Sequence, residues 1–245
     1  MFFPAVPPAP LPARPLIDVI IPAYNEEQSI GRVLAEIPFS LVREVIVVDN
    51  NSSDHTGEVA RRGGATVLRE LRPGYGHACL RGIAHCFARP QSEQAHIIVF
   101  LDGDYSDYPE EMPDLVAPIL RGEADMVIGS RALGQREAGS MLPQQVFGNW
   151  LATSLLRMLY GARFTDLGPF RAIRTEALQQ IGMQDQTYGW TVEMQLKAAR
   201  LKLRSVEVPV RYRRRIGVSK VSGTVKGTLG AGYKILWTIF KYAGK

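Results

Sequence analysis

The feature that most limits what this chain can fold into is an alternation running through its first half. Short runs of β-branched and other apolar residues stand at 16–21, 44–49, 66–69, 96–101 and 125–129, with helically spaced stretches between them at 27–37, 56–62, 75–88 and 110–120. Repeated strand–helix–strand units predict a largely parallel sheet, because parallel neighbours need a crossover and the crossover helices then cover both sheet faces. In such sheets ligands bind beyond the carboxyl ends of the strands. Three polar segments begin there: Pro22-Ala-Tyr-Asn-Glu-Glu27, Asp49-Asn-Asn-Ser-Ser-Asp54-His-Thr56 and Asp102-Gly-Asp-Tyr-Ser106.

The second half is more mixed. An amphipathic helix is expected at 145–160, a short strand at 170–174, a helix at 191–200, a strand at 204–210 and a last helix at 225–243. With no internal repeat and no clear linker, residues 16–224 are expected to form one α/β domain with a mixed C-terminal part. A proline-rich, disordered tail at 1–15 precedes it and an amphipathic helix at 225–245 follows. The tail lacks the basic start of a signal peptide. No apolar run reaches the roughly eighteen residues of a membrane span.

The net charge is +5 with a pI near 9.3, which suits an anionic partner of any kind: nucleic acid, a phosphorylated ligand or an acidic membrane surface. Cys79 and Cys86 are seven residues apart in a helical stretch, hence about 10 Å apart along its axis and too far for a disulfide. Two small core thiols in a reducing, cytoplasmic setting are expected.

The chemistry concentrates in the polar segments. Asp102-Gly-Asp104 closes the apolar run Ile97-Ile-Val-Phe-Leu101, and two carboxylates one residue apart at a strand end can share one hard divalent cation, Mg²⁺ or Mn²⁺. Such a cation also binds diphosphate oxygens. Asp49 sits where a carboxylate can accept hydrogen bonds from a base or ribose, while Ser52 to Thr56 suit capping of the next helix. In the segment from Pro22, Tyr24 can pack against a nucleobase, and Asn25 or Glu26 can fix the loop. Arg72-Pro-Gly-Tyr-Gly-His-Ala78 opens a helix with two glycines, of which Gly76 allows close backbone approach to a ligand.

Together, Pro-Ala-Tyr-Asn-Glu-Glu, Val-Val-Asp-Asn, Asp-Gly-Asp and Gly129-Ser-Arg131, in this order, resemble the family 2 glycosyltransferases of the GT-A fold. The resemblance is nearest to the branch of dolichyl- and polyprenyl-phosphate sugar synthases and spans about residues 17–220. It implies a GT-A sheet, a nucleotide diphosphate sugar donor (UDP- or GDP-linked), Mg²⁺ or Mn²⁺, and a lipid-phosphate or hydroxyl acceptor. Pro22, Tyr24, Glu26, Asp49 and Gly76 are then expected at the nucleotide, Asp102 and Asp104 at the metal, and Arg131 near the diphosphate or acceptor phosphate. Asp166-Leu-Gly-Pro-Phe-Arg171 looks like a family segment that brings Asp166 or Arg171 to the sugar pocket, with Phe170 structural. Glu193 matches an acidic position where many relatives carry a catalytic base, and Trp190 is placed to stack on a sugar face. In Arg211-Tyr-Arg-Arg-Arg-Ile-Gly-Val-Ser-Lys220, the resemblance assigns Arg215, Ser219 and Lys220 to the donor.

The sequence departs from the branch at Gln144-Gln-Val146, which is uncharged where several members are basic, and at Ser106, where some relatives carry a metal-contacting glutamine. A nucleotidyltransferase requires a glycine-rich loop after the first strand, and Pro-Ala-Tyr-Asn-Glu-Glu occupies that place. A nucleic-acid-binding protein has only the charge in its favour, so no nucleic-acid partner is expected. A hydroxyl acceptor would need Glu193 or Asp166 as general base, whereas a phosphate acceptor would not. Ile235, Leu236, Trp237, Ile239 and Phe240 among lysines suit peripheral contact with the inner face of a membrane.

Overall fold

The computed structural model describes residues 10–217 and 225–243. One seven-stranded sheet organises it. The strands are β1 (Ile17–Ala23), β2 (Glu44–Asp49), β3 (Thr66–Arg69), β4 (Ile97–Phe100), β5 (Met126–Ser130), β6 (Arg171–Arg174) and β7 (Ser205–Pro209), in the order β3-β2-β1-β4-β6-β5-β7. The pairs β1–β2, β2–β3, β1–β4 and β5–β7 are parallel, and β6 runs antiparallel between β4 and β5. The expected α/β sheet, mostly parallel with a mixed later part, is therefore present.

Both faces of the central strands are buried, so their apolar residues run continuously and are dealt to two cores by the strand's period of two. Val19 and Ile21 of β1 and Ile97 and Val99 of β4 join one cluster, under α1 (Ile30–Ala35) and α4 (Met112–Leu120). Ile20, Ile98 and Phe100 join the other, with Cys79 and Cys86 of α3 (Tyr75–Phe87). Both thiols are buried and free, as expected. A third cluster joins α5 (Pro143–Tyr160), α7 (Trp190–Arg200) and α8 (Val225–Ala243) through Leu156, Val192, Leu196 and Ile239. The last helix thus docks on the domain by one face, while Leu229, Tyr233, Trp237 and Phe240 stay exposed on it. At the other end, Leu11 of the proline-rich start packs partly buried against the first cluster.

Two differences from the sequence expectations have local causes. The helix expected from residue 27 begins at Ile30, because Glu26 turns the chain: its carbonyl accepts the amides of Ser29 and Ile30. α6 (Thr175–Ile181) had no sequence signal, since its seven residues make about two turns and follow β6 without a break. Among the described residues the remaining α-helix is α2 (Thr56–Arg62).

Candidate active site

Three non-glycine residues with positive φ stand beyond the carboxyl ends of β1, β2 and β4: Asn25 (53°), Asn51 (62°) and Tyr105 (68°). Backbone in this region persists only where its surroundings hold it, and it gathers at functional sites. Here the surroundings are cross-links between loops. Asn25 N–H donates to Ser52 Oγ at 3.0 Å, Ser53 N–H to Asn25 Oδ1 at 2.8 Å, and Glu26 N–H to Thr56 Oγ1 at 2.8 Å. Ser52 and Thr56 thus tie the first loop to the second. Of the helix capping expected of this segment, Asp54 supplies a part: its Oδ1 accepts the N–H of Thr56, the first residue of α2, at 3.0 Å, while His55 offers no side-chain cap. Asn50 ties in the third loop: its Oδ1 accepts Gly74 N–H at 2.8 Å, and its Nδ2 donates to the carbonyls of Glu70 and Arg72 at 3.1 and 2.7 Å.

These loops wall a cleft of about 410 Å³ lined by Pro22, Tyr24, Glu26, Asn51, Gly74 and Tyr75 among others, with Asp102 and Asp104 at its base. A second cleft of about 340 Å³ extends over Arg131, Asn149, Pro169, Tyr212 and residues 231, 232 and 235 of α8. Tyr75, Asp102, Asp104, Tyr188 and Arg215 line both. The two spaces meet at the acidic pair.

Asp104 is 7% exposed; its Oδ1 accepts Ser106 N–H and Oγ–H at 2.9 and 2.5 Å. Its Oδ2 lies 3.1 Å from Arg215 Nη1, and Arg215 Nη2 donates to Glu26 Oε1 at 2.9 Å. Tyr75 donates its hydroxyl to Asp102 Oδ1 at 3.0 Å. Burial, then the charge of Asp104, pushes the Asp102 carboxyl up to about 7. A third acid, Asp107, is 2% exposed, and burial with the charges of Asp102 and Asp104 raises it well above the carboxylate range. Three crowded carboxyls, two of them raised by burial and mutual repulsion, offer oxygen donors that fit a hard divalent cation, with Arg215 beside Asp104 as a partial counter-charge. Among the described residues no group of three or more His, Cys, Asp or Glu is arranged to hold a metal ion. A cation at Asp102 and Asp104 would therefore draw further oxygens from its ligand and from water.

Arg131 and Asp166 are brought together as one unit. Arg131 Nε and Nη2 donate to Asp166 Oδ2 and Oδ1 at 2.8 and 2.7 Å, and Arg131 N–H donates to Oδ2 at 2.7 Å. Burial pulls the guanidinium pKa down, but the charge and hydrogen bonds of Asp166 reverse this and raise it. Asp166 is 1% exposed and lines neither cleft; it orients Arg131, which does. Arg171 is wholly buried and donates to the carbonyls of Leu167, Gly168 and Thr191, so it pins the bend and does not face a sugar. Burial lowers its pKa to about 10. Phe170 is core, as expected.

Other expected residues lie elsewhere. Asp49 stands next to the lining residues Asn50 and Asn51, and its Oδ1 accepts Ser52 N–H at 2.9 Å. Gly76 is buried against another loop, where an added Cβ would come within 2.1 Å of the Asp185 carbonyl. Glu193 is 1% exposed and lines neither of the two clefts. Ser219 and Lys220 lie outside the described residues. Trp190 corrects an expectation: it is fully buried, edge-on to Phe100 and Tyr75, with no face for a sugar. Its near neighbour Tyr188, two residues earlier and 38% exposed, does reach the clefts. Tyr75 and Asn50 were missed because each takes its place from a contact distant in sequence, Tyr188 because the clefts it lines are assembled from distant segments, and Asp107 because its burial is tertiary. A third acid shortly after Asp102-Gly-Asp104 was the one local signal, for Asp107. In the basic segment, Arg211 pairs with Glu110 and Glu111, and Arg213 with Glu36 while lying over the Tyr105 ring. Arg215 alone of these three lines the clefts.

An open α/β sheet, strained loops beyond its strand ends and an Asp-Gly-Asp at the base of a double cleft define a GT-A glycosyltransferase. The chain belongs to glycosyl transferase family 2, whose model matches residues 18–182. It is 37% identical over 215 residues to an uncharacterised glycosyltransferase of Mycobacterium tuberculosis, covering 87% of this chain and 93% of the relative. It is 32% identical over 223 residues to the undecaprenyl-phosphate mannosyltransferase of Micrococcus luteus, covering 85% and 88%. Among solved structures it is similar to glucosyl-3-phosphoglycerate synthase of Mycobacterium tuberculosis in complex with Mn²⁺, UDP-glucose and phosphoglyceric acid. That match has a TM-score of 0.74 and 25% identity, and covers 95% of this chain and 81% of the other. The protein is a hexosyltransferase of this family.

Proposed function

We propose that this chain moves a hexosyl group from a UDP- or GDP-linked donor to the phosphate of a polyprenyl phosphate, inverting the anomeric centre. The carrying observation concerns the second cleft. Among the described residues, its carboxylates are Asp102 and Asp104, which also line the donor side; Asp166 is spent on Arg131, and Glu193 is absent from it. A hydroxyl acceptor would need a base to take its proton. A phosphate acceptor arrives ionised and needs only a counter-charge. Arg131 supplies that charge, with Nη1 the donor not used in the fork to Asp166. The mannosyltransferase relative, named for undecaprenyl phosphate, supports the same choice.

The nucleoside lies in the first cleft, against Pro22 and Tyr24 and beside Asn50 and Asn51, with Asp49 and Gly76 shaping the wall behind them. Asp102 and Asp104 would hold Mg²⁺ or Mn²⁺, which would offset the charge of the leaving diphosphate. Arg215, held between Glu26 and Asp104, is the described residue of its segment that serves the diphosphate, and the resemblance assigns Ser219 and Lys220 to the same donor. Tyr188, shared by both clefts, flanks the sugar. The acceptor oxygen attacks from the second cleft, on the side opposite the diphosphate, and this gives inversion. No helix of the described residues is long and apolar enough to cross a membrane. The exposed Leu229, Tyr233, Trp237 and Phe240 of α8, with Lys234 and Lys241, support peripheral seating at the inner membrane face.

A donor panel of UDP- and GDP-hexoses with Mn²⁺ or Mg²⁺, scored for nucleoside diphosphate release, tests this. Release should require polyprenyl phosphate, stop in EDTA and return with added metal. Equal turnover with the free polyprenol would overturn the phosphate acceptor, and full activity in chelator the metal.

A further inference from the structure

Glu193 is placed where it can do something other than proton transfer. Its carboxylate accepts the amides of Gln184 (3.2 and 3.1 Å) and Asp185 (2.7 Å) and the hydroxyl of Tyr242 on α8 (3.1 Å), and pairs with Lys197 at 2.7 Å. Asp185 is 9% exposed and is used as fully. Its Oδ1 accepts the amides of Thr187 and Gly189 at 2.8 and 3.1 Å, and its Oδ2 lies 3.0 Å from Lys234 Nζ on α8. A small cavity of about 150 Å³ lies among these groups, lined also by Trp237 and Thr238 of the same helix. Two buried acids thus hold one segment, 184–189, from within and fasten it to the C-terminal helix.

The other side of that segment is the wall of the clefts. Gln186 O accepts His77 N–H at 3.0 Å. A Cβ on Gly76 would come within 2.1 Å of Asp185 O, and one on Gly74 within 2.4 Å of Gln186 O. The contact is backbone against backbone, so a shift of 185–186 has no flexible side chain to absorb it. Gly74 lines the first cleft, and Tyr188 lines both.

We infer that Glu193 and Asp185 are positioning residues that set the Gly74 and Tyr188 walls of the clefts from the docked position of α8. The donor site is then complete only while Lys234 and Tyr242 hold their acids, and donor affinity reports the state of the C-terminal helix. This rests on the first cleft being the nucleotide site. A coupling of this kind between a helix and a site is worth about five-fold or more in affinity.

The experiment measures UDP and GDP binding, each with Mn²⁺, by calorimetry on the full chain, together with the melting temperature. Lys234→Ala and Tyr242→Phe remove half-buried contacts of α8 and leave the cleft lining unchanged. Each should weaken nucleotide binding about five-fold or more in a protein that still melts cooperatively well above the temperature of the titration. Lys234→Arg should restore it, and amide exchange across 184–189 should quicken in the weakened variants. Glu193→Gln should raise the donor KM while keeping the shape of the pH–rate profile. Wild type that binds neither nucleotide would remove the donor-cleft assignment itself. Wild-type binding matched by both α8 variants would overturn the relay, and so would loss of a pH limb in Glu193→Gln, which would make that residue a proton carrier.

Discussion

Replacing Asp166 with alanine should cost this protein stability and acceptor binding together, because the carboxylate serves a single buried arginine. Asp166 is 1% exposed, and the Arg131 side chain 12%. Three hydrogen bonds of 2.7–2.8 Å join the two residues, one of them to the Arg131 backbone amide. The substitution therefore leaves a mostly buried guanidinium and a backbone N–H without their carboxylate partner. Breaking a buried pair from one side costs about 3–5 kcal/mol. Against a typical domain stability of about 5–15 kcal/mol that is a large share. At about 2–4 °C per kcal/mol for a chain of this size, the melting temperature should fall by roughly 6–20 °C. The double variant Arg131→Met/Asp166→Leu removes both charges and should recover much of that loss, yet bind acceptor no better, since the counter-charge is gone. Thermal melts of the three proteins, with KM for polyprenyl phosphate, decide the matter. A fall of under 3 °C in Asp166→Ala with an unchanged acceptor KM would refute both the energetic argument and the role given to Arg131.

The Asp102 carboxyl predicts a pH dependence of metal binding. With its pKa pushed up to about 7 by burial and by Asp104, it is protonated in the free protein below that pH, and a cation must displace the proton. Mn²⁺ affinity, read by calorimetry without nucleotide, should fall about ten-fold per pH unit below 7 and level off above it. Flat affinity from pH 6 to 8 would count against Asp102 as a ligand. Because the folded pKa lies above the unfolded one, this group's favourable contribution is complete below about pH 4 and is lost as pH rises through 7. The two aromatics near α7 should separate cleanly. Trp190→Ala empties a fully buried site and should cost about 3–5 kcal/mol, seen as a large drop in melting temperature. Tyr188→Ala, at a 38% exposed position, should melt like wild type and lose turnover; the opposite pattern would return the sugar-facing role to Trp190.

What the sequence determined by itself is the sheet and the position of its chemistry along the chain. Apolar runs such as Ile97-Ile-Val-Phe can be satisfied only by burial on both faces, and crossover chirality then leaves few topologies, so Asp102 and Asp104 had to emerge at a strand end. The run at 170–174 was legible as a strand, but its antiparallel insertion between β4 and β5 was not, because strand direction is set by neighbours distant in sequence. What a side chain meets there was not legible, because it depends on partners far along the chain. Asp166 reads as a sugar-pocket acid until Arg131, 35 residues earlier, takes both its oxygens. Glu193 reads as a base until Gln184, Asp185 and Tyr242, 49 residues away, surround it. Trp190 and Tyr188 are two residues apart, and only the placement of α7 on β4 sends one into the core and the other into the cleft. Local pattern encodes which face of the chain is apolar, whereas the fate of a charge is settled by which opposite charge the fold delivers to it, and that is a property of the tertiary structure.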